Sequence, residues 1–142
     1  MSHWESYKQD WLLLTEAGFI AVNQMDEDTA FKLFKAAETL HPEKTLCKVG
    51  YGYLYLHKLD LKNACKAFEE VLQMEPKNEM AKAMLGVALS LGPATLERGE
   101  KILEETHHAK DSFVKNLSDS ATSFVGRFLK KNPGPAGGHK KT

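Results

Sequence analysis

Histidine and carboxylate side chains four residues apart on a helix can grip one metal ion, and the sequence offers one such set: His107, His108 and Asp111. His107 and Asp111 would share a helical face, but they are two ligands where a zinc site takes three or four from the protein. The other histidines, His3, His41, His57 and His139, stand at no ligand spacing, and neither Cys47 nor Cys65 belongs to a CxxC pair. The run Asp26-Glu27-Asp28 carries oxygen donors suited to Ca²⁺. Acids at a helix start are accounted for without an ion, by capping and by the helix dipole. Glu104 and Glu105 read as part of a charged helix face, and the chain has no glycine-rich phosphate loop, nucleophile elbow or HExxH motif. The expectation is a protein with no catalytic residues, no metal and no cofactor.

Each of these side chains falls within a repeating helical pattern. Gly18 recurs as Gly52, and at the same interval Ala30 recurs as Ala64, Phe34 as Phe68 and Pro42 as Pro76. Small residues allow two helix backbones to approach closely, phenylalanine fills the space between helices, and proline stops one helix so that the next can begin. A first helix is predicted over Asp10–Asn23, with Asp10 as its cap and an inner stripe of Leu13, Leu14, Ala17, Gly18 and Ala21. Asp26 then caps a helix reaching Leu40, with Ala30, Leu33, Phe34 and Ala37 inward, and Pro42 ends it. A third helix, about Glu43–His57, presents Tyr51, Gly52 and Tyr55. Asp60, one full interval after Asp26, caps a fourth that carries Leu61, Ala64, Cys65, Phe68, Val71 and Leu72.

Pro76 and the capping Asn78 open a fifth helix in which Leu85-Gly86-x-x-Leu89 keeps the pattern. Its partner, about Ala94–His108, is one residue out of step, with Gly99 and Leu103 where alanine and phenylalanine are expected. A seventh helix over Asp111–Lys130, with Phe113, Leu117, Ala121, Phe124, Val125 and Phe128 at three- and four-residue spacing, reads as a cover for the last pair. Residues 132–142, NPGPAGGHKKT, read as a flexible tail, leaving residues 1–131 as one domain.

With 19 basic and 19 acidic residues, formal net charge is zero, which argues against a nucleic-acid binder or a polybasic membrane anchor. No apolar run approaches the ~18–20 residues that span a bilayer. The opening MSHWESYKQD lacks the basic start and apolar stretch of a signal peptide. The expected setting is therefore the cytoplasm, with both cysteines reduced.

The order of small, aromatic, small, aromatic and proline residues, at a period of about 34, resembles the tetratricopeptide (TPR) repeat. The resemblance implies an all-α, right-handed α-solenoid of three helix-turn-helix repeats, about residues 11–44, 45–78 and 79–110, closed by a capping helix at about 111–130. It also implies a concave groove lined by the first helix of each pair. By place in the repeat, the groove residues are Leu12, Thr15, Phe19 and Val22, then Leu46, Val49, Tyr53 and Leu56, then Met80, Ala83, Met84 and Val87. None of these is charged. Domains that clamp the acidic tails of heat-shock chaperones use cations there, whereas here the matching places hold Thr15, Phe19, Gly50, Met80 and Met84. Three repeats, a capping helix and an apolar groove resemble the small TPR chaperones of bacterial type III secretion systems. In the needle-subunit class, such chaperones hold an amphipathic client helix in the groove, beside a small co-chaperone, and keep it unpolymerised. Two alternatives stay open: a chaperone for hydrophobic translocator proteins, and a generic TPR adaptor between two proteins.

Overall fold

A computed structural model of the chain describes residues 9–130, apart from the side chains of Phe128 and Lys130. Among the described residues the chain is all-helical. It forms α1 (Asp10–Asn23), α2 (Glu27–Leu40), α3 (Leu46–His57), α4 (Leu61–Met74), α5 (Glu79–Ser90), α6 (Leu96–Thr106) and α7 (Ser112–Phe124), the last running into a π-helical turn, Val125–Lys130. The first eight residues and the tail expected at 132–142 lie outside the described residues. The helices gather into two compact units, residues 1–81 and 82–142, with the boundary inside α5.

In the first unit, α1 packs on α2, α3 on α4, and α3 also on α1 and α2. Two helical hairpins result, and their turns have the same construction at equivalent places in the repeat. Met25 (φ 62°) and Leu59 (φ 58°) take the left-handed conformation that lets each chain reverse, although both are bulky and exposed. The next residue in each turn sends its N–H back to the preceding helix, Asp26 to the Ala21 carbonyl and Asp60 to that of Tyr55, both at 2.9 Å. The same two aspartates cap the helices that follow: Asp26 accepts from the Thr29 N–H at 3.2 Å, and Asp60 from that of Asn63 at 3.3 Å. At the start of α1 the expected Asp10 cap is not made. Gln9 holds the cap position without a side-chain bond, and Asp10 sits inside the first turn.

Packing recurs with the same interval. A Cβ placed on Gly18 would lie 2.5 Å from Cε1 of Phe34, and one on Gly52 would lie 2.4 Å from Cε1 of Phe68. A Cβ on Gly50 of α3 would lie 2.4 Å from Cε1 of the same Phe34 ring, so that ring is held between two glycines on two helices. Phe34 and Phe68 are fully buried, as are Ala30 and Ala64. The predicted stripe on α1 needs correction, because Leu13 is 66% exposed and the buried residues are Thr15, Gly18, Ala21 and Val22. α1 is apolar on several sides, and its seat against α2 and α3 selects the side with the smaller residues.

A carboxylate ties the end of α4 to the start of α3. Glu75 Oε1 accepts from the Thr45 hydroxyl at 2.7 Å and from the Asn78 side-chain amide at 2.9 Å. The Thr45 hydrogen bond first, then that of Asn78, with help from nearby Lys44, holds the Glu75 carboxyl below its ordinary value of 4.5. A carboxyl group whose pKa falls on folding contributes stability that is fully present above its unfolded value and lost as pH drops through the folded one. Thr45→Val should therefore flatten the acid limb of the stability curve below about pH 5 relative to the parent. Urea melts across a pH series measure this, and parallel curves would show that the hydroxyl does not hold the carboxylate.

In the second unit, α5 lies against α6 through its small residues. A Cβ on Gly99 would meet the Ser90 backbone nitrogen at 2.5 Å, and one on Gly86 would meet Leu103 at 3.0 Å. Leucine thus stands against glycine here, where the first unit uses phenylalanine. α6 packs on α7 around a buried pair of hydroxyls: Ser118 Oγ lies 2.7 Å from Thr106 Oγ1, which itself reaches the Ile102 and Leu103 carbonyls at 3.1 Å. Asp111 caps α7 by accepting from the Phe113 and Val114 N–H groups. The predicted inner stripe of α7 is shifted. Val114, Ser118 and Val125 are buried, Leu117 and Ala121 are half-buried, and Phe113 and Phe124 are exposed. The hydroxyl pair sets the rotation of the helix, which spacing of the phenylalanines could not reveal.

Candidate functional site

The first helices of the two hairpins, α1 and α3, pack side by side within the first unit, and eight of the predicted groove residues lie on them. Three of the eight are withdrawn from the surface: Thr15, Val22 and Val49 are at most 2% exposed. Val22 belongs to the cluster of Ala21, Ala30, Phe34 and Leu54. Thr15 is buried without cost to its hydroxyl, which donates to the Trp11 carbonyl at 2.7 Å, one helical turn back. These are small, β-branched side chains on the packed side of the helices. Leu12 is exposed, and Phe19, Leu46, Tyr53 and Leu56 are half-buried.

Phe19 and Tyr53, which hold the same place in successive repeats, form the centre of the face. Their rings lie 5.3 Å apart and tilted, and Phe19 stands edge-on to the buried Phe34 at 5.4 Å. Tyr53 meets the His57 ring at 4.5 Å, and its hydroxyl donates to Asn23 Oδ1 at 2.6 Å. Burial pushes the Tyr53 phenol pKa up, so it stays a neutral donor. Asn23 and His57 were missed in the sequence. Each follows its ring by one helical turn along the same face, and the two also stand at equivalent places in the repeat. That register was a usable signal, hidden because an asparagine and a histidine near helix ends resemble ordinary solvated residues.

Of the remaining predicted residues, Met80 is half-buried in the first unit. In the second unit Ala83 and Met84 are buried, so neither offers the contact surface expected of a groove residue. Val87 is half-buried and lines a hollow of about 420 Å³ with Leu91, Leu117 and Phe124.

Compared with known proteins, the chain matches no family model, and no curated protein or solved structure is significantly similar to it. The geometry therefore has to carry the functional reading. The chemical side chains have structural employment: Asp26 and Asp111 are helix caps, and His107 Nδ1 pairs with Asp119. Among the described residues no group of three histidine, cysteine or acidic side chains could hold a metal ion. Cys47 is buried and Cys65 half-buried, and the two form no disulfide. Burial, followed by the charge of Glu38, raises the Cys47 pKa and keeps it a protonated, weak nucleophile. Among the described residues no helix is long and apolar enough to cross a membrane.

Proposed function

We propose that the chain is a TPR protein that holds an apolar or amphipathic helix of a secretion-system subunit against α1 and α3, keeping that client unpolymerised in the cytoplasm. The observation that carries the reading is a single repeat interval used twice. It governs the packing that builds the hairpins, through Gly18–Phe34 and Gly52–Phe68, and it governs the face those hairpins present, through Phe19–Tyr53 and Asn23–His57. In this reading the Gly86–Leu103 pair of α5 and α6 is a third, degraded repeat, and α7 is the cap that terminal repeats require. A client helix would set apolar residues at i, i+3/i+4 and i+7 against Leu12, Phe19, Tyr53 and Leu56, with Asn23 and His57 hydrogen-bonding at the edge.

Phe19 and Tyr53 pack against the core of the first unit, so charging either one would damage fold and binding together. The discriminating variant is Leu12→Asp with His57→Asp, since both residues are exposed. Placing one carboxylate at the apolar contact and another at its hydrogen-bonding edge should weaken client binding by about 2 kcal/mol or more. The melting temperature should hardly move, and binding by the parent should persist at high salt. Co-expression with the client, followed by sedimentation and titration calorimetry, measures each point. Undiminished binding by the double variant means that the client docks elsewhere. A client that stays monomeric and soluble without this chain would make the protein an adaptor rather than a chaperone.

A further inference from the structure

A second recess in the first unit owes nothing to α1. It is a cleft of about 360 Å³ walled by α2 and α4 and floored by α3. Its floor is aromatic, with Tyr51 and Tyr55 half-buried and Phe31 49% exposed at the rim. Phe31 and Tyr51 lie 5.7 Å apart, and Tyr51 stands edge-on to Phe34 at the same distance, so the floor is anchored to the core. Five charges line the cleft: Lys35, Glu38, Lys48, Lys66 and Glu70. Glu38 is bound by Lys48 at 3.2 Å. Lys35 and Lys66, on opposite walls, make no ion pair among the described residues, and Glu70 is the one carboxylate left to oppose them. The hydroxyls of Tyr51 and Tyr55 likewise meet no acceptor among the described residues. Burial, followed by Glu38, pushes the Tyr51 pKa up to about 12, so its phenol remains a donor throughout the working range of pH.

Two lysines and two phenols thus line one cleft with donors to spare, beside rings that an apolar side chain can cover. Its cationic and phenolic donors outnumber the acceptors left in it, Glu70 and the side-chain oxygen of Asn63, and its volume suits two or three side chains rather than a folded surface. We propose that it is a docking site for an acidic peptide segment of a partner protein, one that places aspartate or glutamate beside an apolar residue. The carboxylates would lie between Lys35 and Lys66 and accept from the tyrosine hydroxyls, and the apolar side chain would cover Phe31. The site shares no residue with the α1–α3 face and stands whether or not that face binds a helix.

The test is a two-dimensional NMR titration of the full chain with acetyl-Asp-Leu-Glu-amide at low ionic strength. The expected result is saturable shifts at the amides of Lys35, Tyr51, Tyr55 and Lys66, absent with acetyl-Asn-Leu-Gln-amide and weakened by salt. Lys35→Glu with Lys66→Glu should weaken the complex by about fivefold or more. Both lysines are exposed, so the variant's spectrum and melting temperature should otherwise match the parent. Equal shifts from the neutral peptide, or an affinity unchanged in the variant, would overturn the proposal. Equal shifts from inorganic phosphate at the same concentration would overturn it too, since the cleft would then read a bare anion and not a peptide.

Discussion

Replacing Gly52 by leucine should destabilise the first unit by about 3 kcal/mol, the upper part of the range for overpacking a tight core. A Cβ alone would come within 2.4 Å of Cε1 and 2.7 Å of Cζ of Phe68. The ring cannot yield, because Phe68 is fully buried on α4. α3 would have to lift away from α4, opening the second hairpin along its length. The lost packing far exceeds the helix-propensity gain of about 1 kcal/mol that any ordinary residue makes over glycine. Urea denaturation followed by far-ultraviolet circular dichroism measures the change. A midpoint equal to the parent's would mean that α3 and α4 do not meet at this glycine.

The second large effect is expected at Phe34, and it carries a change of sign elsewhere. Phe34→Ala should cost about 3–5 kcal/mol, the range for emptying a buried aromatic site. Gly18→Ala in the parent should also destabilise, because the new Cβ would lie 2.5 Å from Cε1 and 2.7 Å from Cδ1 of that ring. In the Phe34→Ala background the ring is gone, and Gly18→Ala should become stabilising by about 1 kcal/mol through helix propensity and partial filling of the cavity. Gly50 on the neighbouring helix, where an added Cβ would lie 2.4 Å from the same ring, should behave in the same way. The double-mutant cycle reads this directly from denaturation midpoints. Additive costs at Gly18 and Phe34 would show that the ring is not what keeps position 18 a glycine.

The sequence alone determined the succession of helices in the first unit and the contacts that pair them. Asp26 and Asp60, Gly18 and Gly52, Phe34 and Phe68 are local instructions: a cap, a close approach and a filler, each written in a residue type that has few other reasons to sit at that interval. Two chain segments carrying the same instructions at the same spacing fold to the same hairpin, down to the left-handed residues Met25 and Leu59. The candidate face was only half legible. α1 carries Leu12, Leu13, Leu14, Phe19, Ile20 and Val22, so apolar residues surround the helix and periodicity cannot choose a side. Tertiary packing made the choice. It buried Val22 with Ala21 and Phe34, left Leu13 and Ile20 in solvent, and brought Phe19 beside Tyr53 from the next hairpin. α7 shows the same division, since its phenylalanines mark an amphipathic helix, while the buried contact of Ser118 with Thr106 decides which way it faces. The cleft under Lys35 and Lys66 was not legible at all, because its walls and floor come from three helices and its free donors exist only once Lys48 has taken Glu38.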